Sequence, residues 1–130
     1  EMAIQAALTG HLVISTLHAG SCQGVLDRLM MLCPDTPAVL SGLELILNQR
    51  LVRRVCPECA GRGCDACLHT GYHGRVPVVE WCRVDPPARS QIRAQGASAI
   101  LPAPTLASAA GELVRAGVTD ARECERVLGE

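Results

Sequence analysis

Four cysteines crowd into twelve residues: Cys56-Pro57-Glu58-Cys59-Ala60-Gly61-Arg62-Gly63-Cys64-Asp65-Ala66-Cys67. They form two Cys-x-x-Cys pairs, four residues apart. Each such turn points two thiolates at one ion, and two turns complete a tetrahedral four-sulfur shell of the kind that holds zinc. Gly61 and Gly63 let the short linker double back. Four sulfurs leave no open coordination position, so the ion would be structural. In a small module its binding free energy is folding free energy. The competing readings are free or oxidised thiols and a thiol switch. His69 and His73 follow closely, but with four sulfurs at hand they are expected to be loop histidines.

A second group is His11 and His18, which bracket the run His11-Leu12-Val13-Ile14-Ser15-Thr16-Leu17-His18. Its β-branched and apolar residues predict a buried strand over 11–17. In a central strand of an α/β sheet, His18 would stand at or just past the carboxyl end, where such folds bind ligands. Ser15, Thr16 and His18 could then face a phosphate. The alternative is two hydrogen-bonded histidines at the ends of a sheet. A third group is basic: Arg50, Arg53 and Arg54, with Arg62 and Arg75 nearby. One Trp, one Tyr and no Phe provide no stacking platform, and the net charge is −1. A solvated or intersubunit salt-bridging patch therefore fits better than nucleic-acid contact.

These groups need a scaffold. The chain has 130 residues, 48% hydrophobic and 19% charged, which is globular material amounting to one domain or part of one. All 12 basic residues are Arg, so no lysine serves catalysis or grips phosphate. No apolar run approaches the roughly 20 residues that cross a bilayer. The opening Glu1-Met2-Ala3-Ile4-Gln5 has no basic leader and no initiator Met, so an excised fragment is expected, with reduced thiols in a cytoplasm.

Residues 1–9 suit a short helix closed by Gly10. Ser21 is an expected N-cap for a helix through Leu32 carrying Val25, Leu26, Leu29 and Met30, and Pro34 stops it. Thr36 and Pro37 open another helix. Leu40, Leu43, Leu47 and Leu51 would line one face of it, with Arg50, Arg53 and Arg54 near its end. Val76–Val84 reads as an edge strand because of Pro77. A helix follows from Asp85 or Pro86 to about Gln95, then a loop from Ser98 to Pro104. Thr105 caps a helix bearing Leu106, Ala110, Leu113 and Val114, closed by Gly117. Thr119 caps a last one bearing Ala121, Cys124 and Leu128.

Together these residues resemble the C-terminal part of the type II secretion and type IV pilus assembly ATPases, the GspE/PilB family. Ala3–His18 resembles the segment after that family's Walker B motif and includes its His box. Arg28-Leu29 fits the helix that follows. Asn48–Cys56 resembles its Q-R-L-V-R-R-x-C run. Gly63–Arg75 resembles its C-x-x-C-x-x-T-G-Y-x-G-R ending. After about residue 85 the likeness thins to a helical pattern and Gly117-Val118-Thr119.

The resemblance implies an α/β chain. Residues 1–55 would be the C-terminal part of a RecA-like P-loop ATPase core, 56–75 a tetracysteine zinc module, and 76–130 a helical C-terminal region. The parent would be a hexameric ring on the cytoplasmic face of the inner membrane. It would use ATP and Mg²⁺ to drive pseudopilus or pilus assembly with inner-membrane platform proteins. His11 and His18 would be catalytic-site residues near the γ-phosphate, sensing or polarising it. Cys56, Cys59, Cys64 and Cys67 would hold structural zinc. This chain contains no G-x-x-x-x-G-K-[ST] and no Walker B carboxylate, so by itself it is expected to be inactive. Ala19-Gly20 stands where the family usually has Thr-Asn, and the two cysteine pairs lie closer than in many relatives. The runner-up is a free-standing zinc adaptor for protein or nucleic acid. Cys56–Gly63 also fits the C-x-x-C-x-G-x-G repeat of heat-shock co-chaperone zinc domains, though the second half does not.

Overall fold

A computed structural model describes residues 2–129. Among the described residues six helices and two strands run in chain order: α1 (Met2–Leu8), α2 (Cys22–Leu32), α3 (Thr36–Gly42), β1 (Leu45–Val55), β2 (Tyr72–Arg83), α4 (Pro86–Gln95), α5 (Leu106–Arg115) and α6 (Ala121–Leu128). Short 3₁₀ turns lie at Asp65–Cys67 and Gly96–Ala99. β1 and β2 form a two-stranded sheet. Backbone bonds from Val84 N to Glu44 O (2.9 Å) and from Cys56 N to Gly71 O (2.8 Å) fix an antiparallel ladder.

The chain divides into two compact units, and both strands pass through each. The first holds the residues up to Asn48 together with Glu80–Ala103. Its core is Cys22, Leu26, Leu40, Ile46, Cys82, Val84, Ile92, Ala97 and Ile100. Ser21 caps α2 by accepting from Gly24 N, and Asp85 caps α4 by accepting from Ala88 N. Gly10 and His11 close α1: Gly10 N donates to Ala7 O and His11 N to Ala6 O, with Gly10 at φ +88°. Within this core the Glu80 carboxylate accepts from Cys22 N at 2.9 Å and from Asn48 Nδ2 at 3.0 Å, which satisfies buried donors. Burial, with Glu80 beside it, pushes the Cys22 thiol up to about 12, so it packs as a small inert hydrophobe.

The second unit holds Gln49–Val79 together with the residues from Pro104 onward. Val52, Val78 and Ala110 are buried at its centre, ringed by Val76, Leu106, Leu113, Cys124 and Val127. Thr105 and Ser108 form a reciprocal cap on α5.

Four local expectations are corrected. The helix expected beyond Gly42 is a strand: α3 ends at Gly42 and Leu45–Val55 is β1. A spacing of four residues satisfies a helix face and one side of a strand equally, so the leucine stripe was ambiguous. Ile46, Asn48 and Val52 point inward, while Leu45, Leu47 and Leu51 are about half exposed. The arginines 50, 53 and 54 consequently lie on a strand. The strand expected at 11–17 is irregular backbone with Leu12 and Ile14 almost fully exposed (91% and 87%), since among the described residues no strand pairs with it. The α3 cap is Asp35, not Thr36, and the α6 cap is Asp120, not Thr119. In both places a carboxylate one residue earlier or later reaches the free N–H groups.

Candidate metal centre

β1 delivers its last residue, Val55, straight into Cys56, and β2 begins at Tyr72, five residues past Cys67. The sixteen intervening residues must reverse the chain at a fixed strand separation. They do so as two similar turns. The residue after each Cys-x-x-Cys turns left-handed, Ala60 at φ 49° and Leu68 at φ 51°. Each closing cysteine then accepts an N–H from four residues on: Gly63 N to Cys59 Sγ at 3.2 Å, Gly71 N to Cys67 Sγ at 3.3 Å. Two glycines make the fit possible. A Cβ on Gly71 would lie 2.5 Å from Gly61 O, and one on Gly63 would lie 3.0 Å from His69 O, both at positive φ.

The four sulfurs of Cys56, Cys59, Cys64 and Cys67 lie within 4.8 Å of one another. Three of the separations are 3.8–3.9 Å. A tetrahedron with Zn–S bonds of about 2.3 Å has sulfur–sulfur edges of about 3.8 Å, so this cage has the size of a zinc tetrathiolate. Cys56, Cys59 and Cys67 are buried and Cys64 is partly so. At Cys67 burial opposes the thiolate, but N–H donation from Cys64 and Gly71 and the thiols of Cys64 and Cys59 outweigh it, bringing the group down to about 6. At Cys64 the hydrogen bond with Cys67 backbone favours the thiolate, yet burial and the neighbouring thiols push it up to about 11. The four residues could hold one metal ion, and soft, charge-bearing sulfurs with N–H support suit zinc. His69 pairs with Asp65 (3.1 Å) and His73 Nδ1 lies 3.1 Å from Ala66 O, both exposed and outside the sulfur cage.

The cage rests on a polar clasp that was not foreseen from the sequence. Glu123, on α6, is fully buried. Its carboxylate accepts from Arg53 N, Nε and Nη2 (2.8, 2.9 and 2.7 Å) and from Arg126 Nε and Nη2 (2.8 and 2.7 Å). Arg126 first, then Arg53, hold the acid far below the ordinary carboxylate range against the cost of burial. The Arg53 guanidinium stacks 4.2 Å over the Tyr72 ring, and Tyr72 OH donates to Asp120 Oδ2 at 2.7 Å. Thr119 Oγ1 donates to Arg53 O and Val55 N to Val118 O, tying the base of the cysteine hairpin to the start of α6. A Glu three residues before an Arg is the only local hint of this clasp, and Arg53 is seventy residues away in sequence.

His11 and His18 do not join a site in the described residues. His11 Nδ1 lies 3.1 Å from Thr9 Oγ1, and both rings are exposed on the segment that follows α1.

Residues 1–126 match the family described as Type II/IV secretion system protein. The chain belongs to this family. It is 36% identical to the protein transport protein HofB homolog of Haemophilus influenzae, over 99% of this chain and 26% of that protein. It is 33% identical to the type II secretion system protein E of Klebsiella pneumoniae, over 98% of this chain and 31% of that protein. It is 30% identical to the type II secretion system ATPase E of Vibrio cholerae, over all of this chain and 32% of that protein. The chain thus spans about a quarter to a third of the length of these relatives. Among the described residues no helix is long and apolar enough to cross a membrane.

Proposed function

We propose that this chain is the C-terminal portion of a secretion or pilus-assembly motor that couples ATP hydrolysis to building a pseudopilus or pilus. The whole-chain likeness to type II secretion system proteins, one of them named an ATPase, is the observation that carries this reading. Two physical features agree with it. The Leu12–Ile14 run is apolar and bare, which suits a strand completed by sheet neighbours supplied elsewhere in the protein. The four-cysteine cage is closed, which suits a structural zinc ion that stiffens a hairpin rather than one that activates water.

In this reading residues 1–55 complete a RecA-like core, 56–75 are the zinc module, and 76–130 are a C-terminal region that opens on the rest of β2 and is helical from α4 onward. Sheet neighbours would order 11–17 and bring His11 and His18 to the edge of the nucleotide site. There an imidazole N–H can hydrogen-bond a phosphate oxygen as negative charge builds on it. The P-loop and Mg²⁺ ligands would come from other residues of the protein, since this chain has neither a P-loop motif nor any lysine. The complete motor would be a ring, hexameric in the family pattern, working at the cytoplasmic face of the inner membrane against platform proteins there.

The test is His18→Ala in the complete protein. Turnover is expected to fall on the order of 10²-fold, the usual cost of removing one charge-stabilising donor, with circular dichroism and metal content unchanged. Unaltered turnover rejects the role given to His18.

A further inference from the structure

The first unit holds a buried polar pair that neither the metal centre nor the Glu123 clasp uses. Asn48 on β1 and Glu80 on β2 are each 6% exposed. Counting inward from the bond between Val84 N and Glu44 O sets them opposite each other across the ladder. The Asn48 amide donates from Nδ2 to Glu80 Oε1 and to Gly20 O, each at 3.0 Å. The same carboxylate oxygen accepts from Cys22 N at 2.9 Å, at the start of α2, where a helix favours negative charge. Ile46, Cys82 and Val84, on the same side of the two strands, belong to the apolar core. An aliphatic pair at 48 and 80 would extend that core without the cost of burying a carboxylate. Stability alone does not call for an acid in this place.

What the pair holds is the turn that carries the chain from His18 into α2. Ala19 and Gly20 have no polar side chain to brace that turn, and glycine has the freest backbone of any residue. Asn48 and Glu80 brace it at two points: the carbonyl of Gly20, two residues past His18, and the N–H of Cys22. The chain just after His18 is thus placed by β1 and β2, whereas Leu12 and Ile14 before it are bare. A donor to a phosphate oxygen works only when its geometry is set in advance, and a misplacement of about 1 Å can cost on the order of 10²-fold in rate. We infer that Glu80 and Asn48 are positioning residues for His18, fixing the turn 18–21 so that the imidazole meets the phosphate. Both are buried and act through the backbone of that turn. The inference rests on the reading that puts His18 at the nucleotide site, and it names the groups that keep it there.

The experiment is a double-mutant cycle in the complete, metal-loaded protein, read as kcat and KM for ATP. Its members are Glu80→Gln, His18→Ala and the two together. Glu80→Gln keeps the shape of the side chain and weakens the acceptor. Alone it should lower kcat about tenfold with KM within about twofold. In the His18→Ala background it should cost under about twofold more, because the group it positions is gone. Asn48→Ala removes the bond to Gly20 O and leaves the carboxylate in place. It should show the same pattern, and it carries the test if Glu80→Gln does not fold. Ile46→Val loosens the same core without touching the turn, and should leave kcat within about twofold. Unchanged kcat in Glu80→Gln and Asn48→Ala, losses that multiply in the double variant, or an equal loss in Ile46→Val would each overturn the inference. If His18→Ala lowers kcat and the Glu80 loss multiplies with it, the positioning role falls and the motor reading stands. If His18→Ala leaves kcat unaltered, the role of His18 and its positioning fall together.

Discussion

The sulfur atoms and one buried carboxylate do most of the residue-scale work. Cys59 accepts an N–H from Gly63 and belongs to the first cysteine turn, so Cys59→Ser replaces a soft, charged ligand with a poor one. Metal content by elemental analysis should fall to near zero, and amides of residues 56–71 should exchange at loop rates, while α2 and α4 keep their protection. Glu123 sets a second prediction. With no exposed surface and five hydrogen bonds, Glu123→Gln leaves guanidinium groups partly unanswered and should cost roughly 2 kcal/mol in chemical denaturation. The sign of the pH dependence follows from its lowered folded-state titration. The ion pairs stabilise fully above the unfolded-state value of about 4.3, and that contribution drains away as pH falls toward the folded-state value. Native protein should therefore lose stability below about pH 4 more steeply than the Gln variant.

At the scale of elements, β1 is where a helix and a strand make opposite demands on the same leucines. A helix over 36–54 would bury Leu47 and Leu51 on one stripe with Leu40 and Leu43. The strand turns Leu51 to the half-exposed side and Val52, with no exposed surface, into the core against Val78 and Ala110. Val52→Ala should cost about 2 kcal/mol and Leu51→Ala under about 0.5 kcal/mol in the same unfolding assay. The reverse order would restore the helix. Capping shows the same kind of near miss. Ser21, Asp85 and Thr105 were legible because each is a lone good cap beside an obvious helix start. At Thr36 and Thr119 two adjacent residues both qualify, and only the backbone angles select Asp35 and Asp120. Thr119 is then released for a buried bond to Arg53 O.

The whole molecule separates what is finished from what is not. The second unit closes on itself: strands, cage, clasp and α5–α6 satisfy one another. The segment 11–17 does not, and a bare run of Leu12, Val13 and Ile14 is costly in water. In the complete protein the amides of residues 12–14 should exchange slowly, as central strands do. In the 130-residue chain they should exchange at coil rates while β1 stays protected in both. Equal protection in both samples would mean that no external strand covers them.

Composition and local spacing alone established the cysteine pairs, the glycines that bend them, most helix starts and the edge strand at Pro77. Each depends on residues a few positions apart, whose stereochemistry is intrinsic. Placement of the leucine stripe, the pairing of Arg53 with Glu123, and the bracing of the turn at 18–21 by Asn48 and Glu80 came only with folding. They join residues far apart in the chain, seventy positions for Arg53 and Glu123, and the chain has no local signal for a partner that far along it. Periodicity can say that a face exists; which neighbour fills it is settled by packing, and among the described residues none covers Leu12 and Ile14.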